Sequence, residues 1–131
     1  MIERLGPGPM RQGRCLTLLF ALIVSCACRP EPPREIVLLA RGMTFVLPTA
    51  PQDPNPILHF RAGERIRVVL KNEAPGLLHD FEIPEWNVKL DQLRAGESGE
   101  VVFMVPASPG RHRYRCRPHA ELMHGAVEVA P

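Results

Sequence analysis

The chain has 131 residues, a length that fits one domain. Its formal net charge of +2 is too small to argue for a nucleic-acid partner, and no apolar run long enough for a membrane-spanning helix follows residue 30. Fifteen Pro and ten Gly fall between short apolar runs, the pattern of an all-β chain with many turns.

The first 25 residues are expected to be a targeting segment. Arg11 and Arg14 precede an apolar stretch from Cys15 to Val24, and small residues follow. Met10 is an alternative start. Ile23-Val24-Ser25-Cys26 resembles a bacterial lipobox, so Cys26 is the expected lipid acceptor. Cys28 fits that pattern less well, with Ser25-Cys26-Ala27 before it. An ordinary signal peptide or an uncleaved anchor are the alternatives. The lipobox reading implies export to the bacterial periplasm or cell surface, with a membrane anchor through lipid on Cys26. Residues 26–34 are rich in Pro and charge and read as an extended linker. The folded domain is expected over 35–131.

Within that domain the strands follow in order. Glu35 to Ala40 and Met43 to Leu47 flank Gly42. A Pro-rich loop, Pro48 to Pro56, belongs on the surface or over a site. Ile57 to Phe60 is short and extended, and Ala62-Gly63-Glu64 turns the chain. Arg65 to Lys71 alternates, with Ile66, Val68 and Leu70 facing in. His79 to Ile83 and Asn87 to Leu93 are the next strands, and a second turn, Ala95-Gly96-Glu97, leads to Gly99 to Val105. Arg111 to Cys116 sets His112, Tyr114 and Cys116 on one face, and Ala126 to Val129 ends the sheet. Short strands at this spacing indicate a sandwich or barrel.

One segment carries most of the chemistry. Cys116-Arg117-Pro118-His119-Ala120-Glu121-Leu122-Met123-His124-Gly125 places a thiol, imidazoles and a thioether within one loop, and His79 lies upstream. Cys15, Cys26 and Cys28 belong to the export segment, so Cys116 is the one thiol of the folded body. An exported lone thiol is a liability unless something occupies it. Taken singly, Cys116 reads as a small buried hydrophobe, His79 as a strand histidine and Met123 as core filler. Taken together, two His, one Cys and a weak Met are a one-copper ligand set; zinc also takes Cys and His, but the thioether favours copper.

The stretch from Glu35 to Ala130 resembles the cupredoxins, the small blue-copper proteins. Ala62-Gly63-Glu64 leading into Arg65-Ile66-Arg67-Val68 resembles the family's Gly-Glu turn and alternating strand. Asn72 followed by His79 resembles its Asn-loop-His segment, and Pro109-Gly110 before Tyr114-Arg115-Cys116 its entry to the Cys strand. Cys116-x₂-His119-x₃-Met123-x-Gly125 resembles its ligand loop.

The resemblance implies an all-β, cupredoxin-like Greek-key β-sandwich with one type 1 copper held by His79, Cys116, His119 and axial Met123. It implies an electron carrier, not an enzyme. No small-molecule substrate is expected, since such a copper leaves no open coordination position. The partner is then a redox protein docking near His119, with Pro118 and Leu122 in the docking patch. Arg111, Arg113, Arg115 and Arg117 read either as a solvated strand face or as a patch for an acidic partner. A module for copper storage, delivery or sensing is the alternative function. Two departures stand out. His124 rivals Met123 for the axial position, and Asp80 follows His79 where the family often has a side chain that donates a hydrogen bond. An ionised Asp cannot donate. Only one Cys lies in the loop, so a dinuclear centre is not expected. His59 and His112 read as structural or solvent-facing.

Overall fold

A computed structural model describes residues 31–131. The signal segment 1–25, Cys26 and most of the proposed linker therefore lie outside the described residues.

Among the described residues, nine strands fall into two sheets. They are β1 (Arg34–Arg41), β2 (Thr44–Val46), β3 (Leu58–Arg61), β4 (Arg65–Asn72), β5 (His79–Ile83), β6 (Val88–Leu93), β7 (Ser98–Met104), β8 (Gly110–Arg115) and β9 (His124–Ala130). The four-stranded sheet runs β2-β1-β4-β7, and the five-stranded sheet runs β3-β9-β8-β5-β6. The pairs β1·β4 and β3·β9 are parallel, and the other paired strands are antiparallel. Every strand expected from the sequence is present. The chain starts β1 at Arg34, one residue into the expected linker, because Arg34 enters the ladder opposite Ile66 and its guanidinium grips Glu64 and the His59 carbonyl.

The two inner faces make one core. Leu38, Phe45, Ile66, Val68 and Leu70 from the first sheet meet Phe60, Phe81, Ile83, Tyr114 and Val127 from the second. Alternation of apolar and polar residues builds this directly, since successive strand side chains point to opposite faces. The turns before β4 and β7 use one device twice. In Arg61-Ala62-Gly63-Glu64 and Arg94-Ala95-Gly96-Glu97 the Glu carboxylate accepts the Arg backbone N–H, at 3.0 and 2.6 Å, and the glycine takes a positive φ of 74° and 84°. A side chain would be strained there.

At one end of the core, Phe45, Phe81 and Tyr114 pack together, with ring centroids 5.5–6.0 Å apart. The buried Tyr114 hydroxyl donates to the Pro56 carbonyl at 2.6 Å, which fixes the end of the Pro-rich loop. Cys116 and Met123 belong to the same buried cluster.

Candidate metal centre

Strand β5 is buried along its whole length, from His79 through Asp80, Phe81 and Glu82 to Ile83. The loop that delivers the chain to His79 is set by Asn72, buried at the end of β4. Its amide donates to the carbonyls of Leu77 and Leu93, at 2.8 and 2.9 Å, and accepts the Ala74 N–H at 2.9 Å. Both amide donors and the oxygen of one side chain thus hold that loop.

The second half of the cluster comes from the loop between β8 and β9, which closes on itself. The Cys116 N–H donates to the Met123 carbonyl at 2.9 Å. The His119 N–H donates to the Cys116 carbonyl at 3.3 Å, and the His119 carbonyl accepts from Leu122 and Met123 at 3.0 and 2.8 Å. Asn55, an αL residue in the Pro-rich loop, ties this loop down: its amide donates to the Leu122 carbonyl at 3.1 Å while its oxygen accepts the Phe45 N–H at 3.0 Å. No motif marks Asn55 in the sequence; the only signal is that Asn tolerates a positive φ in a loop.

Gly125 has a physical reason as well. Its backbone lies against Tyr114, and a Cβ there would overlap the ring and hydroxyl. The Met-x-Gly spacing therefore lets Met123 stay buried while β9 starts flush against the aromatic cluster.

These elements bring His79, Cys116 and His119 together. One donor atom from each lies within 4.8 Å of the others. The Cys116 sulfur stands 3.7 Å from His79 Nδ1 and 3.6 Å from His119 Nδ1. Three ligands at 120° around an ion, with bonds of about 2.1 Å, would stand about 3.6 Å apart. A thiol has one proton and can satisfy only one of two nitrogens, whereas a metal ion satisfies all three donors. The residues present therefore fit a metal. His79, Cys116 and Met123 are fully buried, while His119 is half-buried at the rim.

Burial sets the protonation of both buried ligand candidates. Burial pushes the Cys116 thiol up to about 11, with the Asp80 charge adding to the shift. Burial, with the His119 ring next to it, pulls the His79 imidazole below its usual value. Its Nε2 is buried with no hydrogen-bond partner among the described residues, and the nearby Gly42 backbone favours ring protonation. In the metal-free protein both groups are thus held in their neutral forms.

His124 is turned outward. It is exposed, and its Nδ1 lies 3.0 Å from the Ala120 carbonyl. Asp80, which departs from the family pattern, is fully buried and accepts two bonds: from the Arg117 N–H at 2.7 Å and from Arg117 Nε at 2.8 Å. The other arginines of the strand are engaged too. Arg115 pairs with the buried Glu82 at 2.6 Å, Arg111 with Glu128 at 3.0 Å, and Arg113 donates to the Ala120 carbonyl at 2.7 Å. His112 packs on Trp86 and pairs with Glu85, and His59 is exposed near Glu128, so both are structural or solvent-facing.

Met43, Pro118, Ala120, Glu121 and Leu122 line a shallow hollow around His119. Leu122 is 64% exposed and Met43 40%, so the rim of the cluster is an apolar surface.

No protein-family model matches the chain, and no curated protein matches it by sequence. Solved structures do. Auracyanin A, a "blue" copper protein from the green thermophilic photosynthetic bacterium Chloroflexus aurantiacus, superposes with a TM-score of 0.61 at 18% identity, over 76% of this chain and 100% of that one. Auracyanin B superposes with a TM-score of 0.59 at 22% identity, over 79% of this chain and 94% of that one. A copper-containing nitrite reductase from Thermus scotoductus SA-01 matches with a TM-score of 0.57 at 19% identity, over 76% of this chain but only 28% of the enzyme. The chain has the cupredoxin fold, a two-sheet β-sandwich.

Proposed function

We propose that this cupredoxin-fold protein is an electron carrier with a single type 1 copper, held by His79, Cys116 and His119 with Met123 as the weak axial ligand. The observation that carries this reading is the convergence of one thiol and two imidazoles, within 4.8 Å of one another, with the Met123 thioether buried in the same core cluster as Cys116. A soft sulfur with two imidazoles suits copper, and the thioether favours it over zinc. That the superposed auracyanin A is a blue copper protein supports the same choice. His124 is the weaker axial candidate because it is exposed and turned to the Ala120 carbonyl.

Bound there, copper supplies a one-electron couple that switches with little change of geometry. The chain supplies the rest. Cys116 gives up its proton on binding, so affinity rises with pH. Asn72 and Asn55 hold the two ligand-bearing segments, and Cys116 and Met123 share one buried cluster with Phe45, Phe81 and Tyr114. His119 at the rim is the exit route to a redox partner, which docks on Pro118, Leu122 and Met43. Steering by an acidic partner rests on Arg113, which has no carboxylate partner among the described residues, rather than on Arg115 or Arg117, whose charges face buried carboxylates. The match to nitrite reductase covers one part of a longer enzyme, so it supports the fold and not that activity here.

Export and lipidation at Cys26 rest on the sequence alone; mass spectrometry of the mature protein showing an unmodified Cys26 would refute the anchor. The copper reading is tested by titrating the purified domain with Cu(II). An intense visible thiolate-to-copper band, absent from Cys116→Ser, is expected; a colourless parent protein ends the reading. A carrier also keeps its metal when reduced. Rapid loss of Cu(I) to a chelator of modest affinity moves the function to copper storage, delivery or sensing.

A further inference from the structure

Two residues of opposite charge stand next to the two ligand-bearing segments. Asp80 follows His79 on β5, and Arg117 follows Cys116 at the start of the loop. They lock face to face: the Asp80 carboxylate accepts the Arg117 backbone N–H at 2.7 Å and its Nε at 2.8 Å. Asp80 is fully buried, while the Arg117 side chain remains 41% exposed. The backbone bond fixes the chain at the residue after Cys116. The guanidinium bond supplies a counter-charge, without which a buried carboxylate is costly. Glu82, two residues along the same strand, lies 4.0 Å from Arg117 and takes Arg115 as its main partner at 2.6 Å. A neutral amide at position 80 could make the backbone bond equally well. It could not place a full negative charge on the residue that directly follows His79, against the residue that directly follows Cys116.

We propose that Asp80 is a positioning residue with two separable roles: its carboxylate clasps β5 to the ligand loop through Arg117, and its charge lowers the reduction potential of the copper bound next to it. The inference rests on the copper reading above. The sign follows from electrostatics. Fixed negative charge favours the more positive oxidation state, Cu(II), and that lowers the potential. Arg117 is the opposing lever, because its positive charge screens Asp80 from the exposed side.

Three variants separate the roles. Hydrogen exchange of the Arg117 backbone amide, measured by NMR in the metal-free protein, reads the clasp without any metal. Asp80→Ala should speed that exchange at least tenfold, and Asp80→Asn should restore protection, since an amide oxygen still accepts the bond. The midpoint potential of the copper-loaded protein reads the charge. Asp80→Asn should raise it while keeping the thiolate band. Arg117→Gln, which removes the counter-charge at the exposed side of the pair, should lower it in the protein that remains folded. Opposite shifts from Asp80→Asn and Arg117→Gln are the expected signature, and shifts of the same sign, or none, overturn the charge role. Unchanged Arg117 exchange in Asp80→Ala overturns the clasp. A parent protein that binds no copper ends the copper reading and the charge role with it, while the exchange rates still decide the clasp.

Discussion

Strands β4 and β5 are built on opposite rules. In β4, Ile66, Val68 and Leu70 are buried and the residues between them are exposed or half-exposed. Its one buried polar residue, Asn72, has its hydrogen bonds satisfied. In β5 all five residues are buried, and three of them, His79, Asp80 and Glu82, are ionisable. Burying such groups costs stability unless each finds a partner. Asp80 and Glu82 find arginines, but His79 Nε2 has no partner among the described residues. The two strands therefore divide the labour. Both sheets supply apolar burial, but among the described residues the buried carboxylates and the buried imidazole all lie on β5 of the five-stranded sheet.

That division is challenged most directly by a pair of substitutions with opposite consequences. Ile66→Ala removes a fully buried side chain from β4 and should cost about 2–5 kcal/mol of unfolding free energy, measured by chemical denaturation. The visible copper band of the folded fraction should be unchanged. Cys116→Ser should do the reverse: the band vanishes while the metal-free protein still unfolds cooperatively. A band that changes in Ile66→Ala would mean that lost packing on β4 reaches the ligand cluster through the shared core.

Gly125→Ala tests where the two rules meet. An added Cβ overlaps Tyr114, whose hydroxyl holds the Pro56 carbonyl at 2.6 Å. Tyr114 must move and lose that bond, at a cost of about 1–3 kcal/mol. Because β9 begins directly after Met123, a shift of the band should accompany the loss. Destabilisation with an unaltered spectrum would show that Tyr114 yields without disturbing the ligand loop.

The pH dependence of the metal-free protein probes the same contrast. The Cys116 thiol is raised by burial from its ordinary value near 9 to about 11. A raised folded pKa means that the folded state holds its proton more tightly than the unfolded chain. The stabilisation is complete below pH 9 and is lost as pH climbs toward 11. Tyr114 is also raised by burial, so it adds a loss of the same sign at the upper end. Subtracting the pH profile of Cys116→Ser from that of the parent isolates the thiol. Equal slopes in the two proteins would show that the thiol is not held neutral by its surroundings.

The two strands also differ in how much the sequence reveals. Alternation in Arg65 to Lys71 is a local pattern, so β4 is legible to within a residue. The bounds of β5 are legible as well, and the Cys116–Met123 spacing marks a candidate ligand loop because it is local, whereas His79 lies 37 residues from Cys116 and enters only through the family resemblance. Contacts between distant segments are not. Asp80 stands out as unusual, but its partner Arg117 lies 37 residues away, and nothing in either neighbourhood pairs them. The same holds for Asn55, which reaches Leu122 across 67 residues. The arginine strand reads as one uniform charged face in sequence, and in the fold its members divide. Arg115 and Arg117 turn to buried carboxylates, and Arg113 turns to a backbone carbonyl. The apolar pattern starts β9 at Ala126, two residues late, because His124 and Gly125 join the ladder opposite Arg115 and Tyr114 without being apolar.

The slightest change is expected at the axial position, and it is the finest test of the buried-against-exposed logic. Met123 is fully buried in the core cluster, and its neighbour His124 is exposed on β9. Leu nearly matches Met in volume, so Met123→Leu should cost less than about 1.5 kcal/mol and leave the Cys116, His79 and His119 donors in place. The thiolate band should therefore remain. Loss of the thioether withdraws a weak donor that stabilises Cu(II) more than Cu(I), so the potential should rise. His124→Ala removes only an exposed ring and its contact with the Ala120 carbonyl, and should leave both band and potential close to the parent's. If His124→Ala shifts the potential and Met123→Leu does not, the fourth ligand is the histidine. The loop would then have to swing His124 inward on binding copper, breaking the β8–β9 ladder at its first pair, Arg115 opposite His124.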